Sequence, residues 1–258
     1  MHPYFSIFGY SIPSYGAIIV LGVIVSNALA YLYKRKTLNF DDLILIEAYA
    51  LLGAILGGKL FYVLVNFENL NGKKLSDLNY LKSLITSGFV FLGGLLGAML
   101  TAVLGCKLHK IKLQEYLPLL AVFVPLVHAF GRLGCFMAGC CYGVPCNGVL
   151  SVTYHQSAIA PNDTPLLAIQ LIEAFVLIMI SMTIYVLNRY QNFRVHAFAY
   201  YLIMYSIARI AIENYRYDDG QRGIYFYLST SQWLSILIIM VTIVYLIKSY
   251  RYPLRKVR

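Results

Sequence analysis

Runs of about twenty mostly apolar residues recur from one end of this 258-residue chain to the other, and they limit its possible folds more than any other feature. Each run is long enough to cross the hydrocarbon core of a bilayer as a helix. Only 12% of the residues are charged, about half the fraction of a soluble domain, and the mean hydropathy is +0.69. The pattern therefore predicts an all-α polytopic membrane protein, with residues 1–258 forming a single integral membrane domain.

Seven transmembrane helices are expected from these runs. They cover about residues 13–33, 43–65, 86–106, 116–134, 166–187, 196–214 and 230–247. Thirteen Lys and Arg residues lie in alternate connections and at the C-terminal end, and only six lie in the connections of the opposite side. Because cytoplasmic loops carry the excess of basic residues, the N-terminus is predicted outside and the C-terminus in the cytoplasm. This distribution also accounts for the net charge of +10, so no nucleic-acid partner is expected.

Three stretches face outward in this topology, and the largest reads as a small extracytoplasmic subdomain at about residues 135–165. It is rich in Gly, Cys, Asn and Pro, and Val149–Tyr154 is predicted to form a short strand. A second outward stretch is expected to form an amphipathic surface helix over Leu75–Ile85. Disulfides are permitted on this side of the membrane.

Six ionisable residues lie within the apolar runs or at their ends. They are Glu47, Lys59, Arg132, Glu173, Arg209 and Glu213. A charge at this depth costs several kcal/mol unless it is paired or functional. Arg209 and Glu213 are spaced i, i+4, so they share a helix face and can pair, and Arg216 extends that face outward. The group indicates a polar cavity, although structural pairing explains it too.

Arginine suits a phosphate because its planar fork donates two hydrogen bonds and keeps its charge when it is desolvated. The cavity is therefore interpreted as receiving an anionic lipid headgroup, with Arg132 and Arg209 near its phosphate. Transport of a small anion would use the same side chains, so the charges alone leave both functions open.

The segment from His128 to Gly143 joins an arginine to thiols. His128 precedes Arg132 by four residues, on the same helix face, so it is a candidate base or a packed core residue. Cys140 or Cys135 is a candidate nucleophile.

The cysteine spacing favours disulfides over a metal. Four cysteines follow a C-x4-C-C-x4-C pattern that ends at Cys146, and the adjacent pair Cys140–Cys141 fits tetrahedral ligation poorly. One or two disulfides are therefore preferred, with three possible pairings if all four are oxidised. No metal and no cofactor is expected.

Glycines at three- and four-residue spacing are predicted to let the second and third spans pack closely. They are Gly53, Gly57 and Gly58 in the second span and Gly93, Gly94 and Gly97 in the third.

Seven segments, in order along nearly the whole chain, resemble the bacterial prolipoprotein diacylglyceryl transferases. They are Ser14-Tyr15-Gly16, Gly57 to Leu64, Gly93 to Gly97, Gly131-Arg132-Leu133-Gly134-Cys135-Phe136 through Tyr142-Gly143, Gln170 to Ala174, Arg209-x-x-x-Glu213-x-x-Arg216, and Ser231-Gln232. The resemblance implies a multi-pass protein of the bacterial plasma (inner) membrane. It also implies transfer of the diacylglyceryl group of phosphatidylglycerol to the lipobox cysteine thiol of a prolipoprotein, with release of glycerol phosphate.

The resemblance also implies roles for individual residues. Arg132 would bind the lipid phosphate, while Arg209 and Glu213 would orient the headgroup and the reacting carbon. The remaining pocket positions implied by the match are Tyr15, Lys59, Gly143, Arg216 and Gln232, with Lys59 standing where the family has arginine.

The chain departs from the family's signature at the groups that handle protons. The family has asparagine at the positions of Cys135 and Ala138, glutamate at Cys140, and its essential histidine at Leu92. The chain is thus interpreted as a branch with relocated catalytic groups or as a lipid transferase with another acceptor or a thiol-dependent mechanism. Outside the enzymes, an anionic-lipid binder or transporter fits the same cavity. A redox protein would leave the charges within the spans unexplained.

Overall fold

The structure is a computed structural model that describes residues 4–7, 10–33, 37–65, 67, 88, 90–157, 159–217 and 223–251. The amphipathic helix predicted over Leu75–Ile85 lies outside these residues. Within them the fold is mostly helical, as the apolar runs predict.

The long helices coincide with the predicted spans. In chain order the helices are α1 (Ser14–Tyr33), α2 (Phe40–Val65), α3 (Phe91–Leu108), α4 (Leu113–Ala138), α5 (Ile169–Leu187), α6 (Gln191–Arg194), α7 (Ala197–Glu213) and α8 (Thr230–Arg251). Five of the described helices, α1, α2, α4, α5 and α8, are long and apolar enough to cross a membrane, and Leu92–Leu108 is a shorter apolar helix. The chain is therefore a helical membrane protein.

Three antiparallel hairpins lie between or before the helices of the described chain. They are β1 (Tyr4–Ile7) with β2 (Tyr10–Pro13), β3 (Ser151–Thr153) with β4 (Pro165–Leu167), and β5 (Ile224–Tyr225) with β6 (Leu228–Ser229). The strand predicted over Val149–Tyr154 is confirmed at its centre as β3. It begins later than predicted because the Ser151 amide donates to the Gly148 carbonyl and closes a turn there.

The chain divides into two compact units, Met1–Tyr33 with Leu117–Arg258 and Lys34–Tyr116. In the first, α4, α5 and α7 meet around Ala129, Ala174 and Leu177, which are almost wholly buried. Two side chains of α5 also bond the backbone of α4. Ser181 Oγ donates to the Val122 carbonyl at 2.8 Å, and Asn188 Nδ2 donates to the Pro118 carbonyl at 2.8 Å. These contacts fix the faces of α4 and α5 that carry the charged side chains.

The segment between α4 and α5, which is predicted to face outward and is called the outer segment below, has a small core of its own. Tyr154, Ala160 and Leu166 are buried together, with Tyr142 and Val152 packed against them. Backbone hydrogen bonds tie residues 142–144 to two other segments. The Gly143 amide donates to the Leu167 carbonyl at 3.1 Å, and the Val144 amide donates to the Tyr215 carbonyl at 2.9 Å. The chain before α5 and the chain after α7 therefore flank the same short stretch.

In the second unit, α2 and α3 pack at backbone distance, as their glycines predict. A Cβ on Gly53 would collide with the Gly97 carbonyl, and one on Gly57 would collide with the Gly93 carbonyl. The close approach lets Thr101 Oγ1 of α3 donate to the Tyr49 carbonyl of α2 at 2.6 Å. The glycines thus serve helix packing.

Candidate functional site

The carboxylate of Glu173 on α5 is the centre of a buried ion network. Arg132 Nη2, from α4, lies 3.1 Å from Glu173 Oε1, and Arg209 Nη1, from α7, lies 3.3 Å from the same oxygen. The side chain of Glu173 is only 2% exposed. Three helices therefore meet through one carboxylate, and Ala174 of the apolar cluster is the next residue along α5.

The pairing predicted between Arg209 and Glu213 is confirmed. Arg209 Nη2 lies 2.7 Å from Glu213 Oε2, and both side chains are buried. Ser231, at the start of α8, donates its hydroxyl to Glu213 Oε1 at 3.1 Å and accepts a hydrogen bond from Arg209 Nη2 at 3.3 Å. Arg209 is thus held on both sides by carboxylates and by the end of another helix.

Arg132 keeps a donor that the described protein does not use. Its Nε is buried and has no hydrogen-bond partner among the described residues. A buried donor without an acceptor costs free energy, and the cost is larger for a charged group. Such a donor is expected to bind a ligand, and of the two arginines Arg132 is the better placed to hold an anion.

His128 lies close to this network but is packed. Its ring meets the Tyr205 ring edge-on, with centroids 5.1 Å apart, and the Tyr205 hydroxyl donates to Glu173 Oε1 at 3.2 Å. The histidine is one turn below Arg132 on α4, away from the cysteines. Its role as a base stays a prediction.

Three thiols gather just beyond Arg132. The Sγ atoms of Cys135, Cys140 and Cys141 all lie within 4.8 Å of one another. Cys135 is in the last turn of α4, and the chain then reverses at Gly139, which has φ +71°. A Cβ there would lie 2.5 Å from Ser157 Oγ. Cys141 has φ +56°, a conformation that costs a non-glycine residue free energy and that often marks a functional site.

The predicted disulfides are absent, since all five cysteines are free thiols in the structure. The spacing argument assumed pairs, but the reversal at Gly139 brings three sulfurs together and leaves Cys146 out of the group. It also removes the geometric objection to ligation by adjacent cysteines, because the left-handed backbone of Cys141 lets both thiols join Cys135 in one cluster.

The pKa values of the Cys140 and Cys141 thiols are shifted in opposite directions. Hydrogen bonds with Cys135 and Cys140, aided by the nearby Arg216 and Arg132, hold the pKa of the Cys141 thiol far below its usual range. A hydrogen bond with Cys135 lowers the pKa of Cys140, but the bond with Cys141 and burial outweigh it and raise this pKa to about 11. The thiol of Cys141 is therefore more acidic than that of Cys140.

Gly143 of the outer segment lies beside Arg216, which follows α7. They form an antiparallel bridge, and Arg216 is 8% exposed. A Cβ on Gly143 would lie 2.7 Å from the Leu167 carbonyl oxygen and 3.0 Å from that of Tyr215. Only glycine fits between these two backbones, and the pocket role of Gly143 stays a prediction.

Tyr15 and Gln232 occupy different surroundings within the first unit. Tyr15 packs against Gly134, with its Cδ2 3.1 Å from the position of a Cβ there, so it lies at the thiol end of α4. Gln232 is buried, and its side chain bonds the Ile210 carbonyl, Asn214 and the Ser229 amide. Its hydrogen bonds join α7 to α8, and a pocket role stays a prediction.

Lys59 and Leu92 belong to the second unit. Lys59 Nζ donates to the Gly88 carbonyl at 2.8 Å. Leu92, at the start of α3, is 41% exposed and apolar. The pocket role of Lys59 stays a prediction.

Glu173 is the centre of the ion network, but sequence reasoning assigned it no partner and no place in the site. It stood among the ionisable residues of the spans, but the i, i+4 rule assigned Arg209 to Glu213 and could not see a partner 36 residues away. Gln170 was missed in the same way. Its Nε2 donates to the Cys140 carbonyl at 2.7 Å and to the Tyr154 hydroxyl at 3.2 Å, which fixes the thiol turn.

Comparison with known proteins gives a consistent result. A family model described as prolipoprotein diacylglyceryl transferase matches residues 3–248. A Clostridium tetani protein named phosphatidylglycerol–prolipoprotein diacylglyceryl transferase is 32% identical over 242 residues, 93% of this chain and 94% of that protein. A Clostridium perfringens protein with that name and the number 2 is 30% identical over 237 residues, covering 91% and 90%. A Finegoldia magna protein with the first name is 29% identical over 245 residues, covering 95% and 94%.

Replacing Glu173 with glutamine should destabilise the protein strongly. The change keeps the shape of the side chain but leaves two buried guanidinium groups without their shared carboxylate, and breaking a buried ion pair costs about 3–5 kcal/mol. The free energy of unfolding in detergent micelles measures the loss. Glu115→Gln is the matched control, because its partner Lys112 is 3.5 Å away on the surface, with exposures of 76% and 52% for the two side chains. An exposed pair contributes about 1 kcal/mol or less. Equal effects of the two variants would contradict the central role of Glu173.

Proposed function

This chain belongs to the prolipoprotein diacylglyceryl transferase family, and from that membership and the site geometry we propose that it transfers the diacylglyceryl group of phosphatidylglycerol to a prolipoprotein. The acceptor is the thiol of a lipobox cysteine. Its sulfur forms a bond to the glyceryl carbon that carries the phosphate, the carbon–oxygen bond breaks, and glycerol phosphate leaves with the electron pair.

The free Nε of Arg132 is the observation that carries this proposal. A phosphodiester oxygen placed there accepts a charge-assisted hydrogen bond from a donor that is already buried and positioned. Glu173 holds Nη2 of the same guanidinium, so the arginine is preorganised for the lipid. Preorganised donors stabilise charge that develops on the leaving phosphate without reorganisation at the moment of reaction.

Arg209 and Glu213 orient the headgroup from the other side of Glu173. Because Arg209 is held by Glu173, Glu213 and Ser231, it supplies a fixed positive charge rather than a mobile one. Tyr15, Gly143, Arg216, Gln232 and Lys59 are the pocket residues that the family match adds. The acyl chains remain among the apolar outer faces of the helices, where many large side chains are exposed.

Two groups on α4 can activate the acceptor thiol. His128 is one turn below Arg132, and the thiol cluster of Cys135, Cys140 and Cys141 begins one turn above it. A His128→Ala variant decides between them. A fall of about 10²–10⁴-fold in turnover, with lipid binding unchanged, assigns the base to His128. Full turnover assigns activation to the thiol side.

The site opens to the outer face of the bacterial plasma (inner) membrane in this proposal. Seven helices cross the bilayer, including α3 and α7, with the N-terminus outside and the C-terminus in the cytoplasm. The support comes from basic residues at one set of helix ends. Among them are Lys107 in the last turn of α3, Lys110 just after it, and Lys248 and Arg251 at the end of α8.

Arg132 variants should lose lipid turnover. Purified protein is incubated with phosphatidylglycerol labelled in its headgroup and with a lipobox peptide, and the release of glycerol phosphate is measured. We expect release only when the peptide is present. Arg132→Ala should abolish it, and Arg132→Lys, which keeps the charge but removes Nε, should lower kcat/KM by about 10–100-fold. Arg189→Ala, at an exposed arginine after α5, is the control.

Three outcomes of that assay would contradict the proposal. Full turnover by Arg132→Ala would remove Arg132 from the phosphate site. Headgroup release without labelling of the peptide would indicate a different acceptor. The absence of lipid turnover with any acceptor, together with lipid binding, would indicate a lipid-binding protein or transporter.

The topology predicts which insertions are accessible from outside. An epitope inserted after Gly148, in the outer segment, should bind antibody on intact spheroplasts. The same epitope inserted after Lys110, between α3 and α4, should bind only after lysis, because that connection carries the basic residues of the inner side. The reverse pattern would overturn the orientation, and access to both epitopes on intact cells would overturn the span count between them.

A further inference from the structure

The thiol cluster of Cys135, Cys140 and Cys141 has the dimensions of a metal site. Its three Sγ atoms lie within 4.8 Å of one another. Tetrahedral zinc with Zn–S bonds of about 2.3 Å holds its sulfurs about 3.8 Å apart, so small side-chain movements bring these thiols to ligand positions. A disulfide would join only two of the three and leave one thiol unused.

Hydrogen bonds fix the backbone around the cluster. Gln170, 1% exposed on α5, donates to the Cys140 carbonyl, and the Cys140 amide donates to the Cys135 carbonyl at 3.1 Å. Gly139 and Cys141 are both held at positive φ. Partners that orient the ligand residues in this way are typical of metal sites. The strained backbone at Cys141 lies beyond the end of α4, and the thiol of this residue joins the sulfur cluster.

The number of ligands points to a catalytic site rather than a structural one. Structural zinc sites use four protein ligands, whereas catalytic sites use three and leave one position for water or substrate. The fourth cysteine of the segment, Cys146, is not part of the cluster. Among the described residues, no further His, Cys, Asp or Glu joins the three thiols.

We infer that Cys135, Cys140 and Cys141 bind one zinc ion, whose open coordination position takes the thiol of the acceptor cysteine. The inference rests on the proposed function, because it assigns the activation step of that transfer. Zinc is the metal that fits, since thiolates are preferred ligands and the reaction has no redox step. Cys140 is then a ligand and not a covalent nucleophile.

The chemistry balances without an oxidant or a reductant. The acceptor thiol binds zinc and loses its proton to water, because a coordinating thiol is deprotonated. The zinc-bound sulfur attacks the glyceryl carbon, the sulfur–carbon bond forms as the carbon–oxygen bond breaks, and glycerol phosphate departs. The thioether product is neutral and a weak ligand, so it leaves the metal.

The position of the cluster agrees with this role. Cys135 follows Arg132 by three residues on α4, a rise of about 4.5 Å, and both lie on the same helix face. A lipid phosphate at Arg132 would therefore lie about one turn from the metal, with the reacting carbon between them. His128 lies on the other side of Arg132, farther from the thiols.

Metal content is the first test. Full-length protein purified in detergent without oxygen and without chelators should contain about one zinc per chain by mass spectrometry of its elements. Cys135→Ser, Cys140→Ser and Cys141→Ser should each lose it, and Cys146→Ser should keep it. Copper in place of zinc, zinc kept by all three variants, or no metal together with a mass lower by two hydrogens would overturn the site.

Cobalt replaces zinc as a spectroscopic probe of the open position. The cobalt-loaded protein should show sulfur-to-metal charge transfer, and this band should grow when a lipobox peptide is added. A peptide with serine in place of its cysteine should leave the spectrum unchanged. A spectrum that ignores the cysteine peptide would overturn the binding of the acceptor at the metal.

Measurements of transfer activity distinguish a failure of this inference from a failure of the proposed function on which it rests. Chelator-treated protein should lose transfer at least 10²-fold and regain it with zinc. Transfer at the full rate by metal-free protein would sink the metal role while the transferase function stands. Zinc bound as predicted, with no transfer from phosphatidylglycerol to any acceptor, would sink the proposed function while the metal site stands. Loss of transfer in His128→Ala alongside full transfer by metal-free protein would assign activation to the histidine.

Discussion

The shared carboxylate of Glu173 is the interaction on which the rest of the site depends. One buried side chain on α5 pairs with an arginine from α4 and an arginine from α7, so three helices are joined at a point where an unpaired charge would be costly. The apolar contacts around Ala129, Ala174 and Leu177 bring those helices together but are not directional. The ion network supplies the direction, since it fixes which face of each helix turns inward. The free donor of Arg132 is a consequence, because Glu173 occupies only part of that guanidinium.

The α4 helix carries three different functional groups along one face. His128, Arg132 and Cys135 follow at intervals of four and three residues, which places a ring, a guanidinium and a thiol in a row. The row continues past the end of the helix only because Gly139 turns the chain back. Two further cysteines then join the thiol at the end of α4. A helix alone could not gather three sulfurs from neighbouring positions, since adjacent residues of a helix do not face each other. The break in regular structure is therefore what creates the cluster.

Much of the fold could be predicted from the sequence, because long apolar runs admit few structures in a bilayer. The helices, the glycine contact between α2 and α3, and the pair Arg209–Glu213 all follow from local spacing. Local spacing could not predict contacts between segments that are distant in the sequence. The partner of Arg132 is 41 positions away on another helix, and the strand that pairs with Ser151–Thr153 comes after a loop. The disulfide prediction was wrong for a related reason. It counted residues between cysteines, whereas the left-handed backbone at Gly139 and Cys141 decides where the sulfurs lie.

The short stretch 142–144 is held between two other segments of the chain. It is hydrogen-bonded to Leu167 along one edge and to Tyr215 along the other, and Gly143 leaves no space between the two backbones. These contacts hold the stretch firmly in place on both edges. Residues 137–139 and 154–157 line a pocket, and Cys140 follows the first of these two segments directly in the chain. If an acceptor protein enters through this pocket in the proposed function, its cysteine has to lie on an extended segment while its folded part stays outside. Recognition of such an extended segment would then accept proteins whose folded parts differ widely.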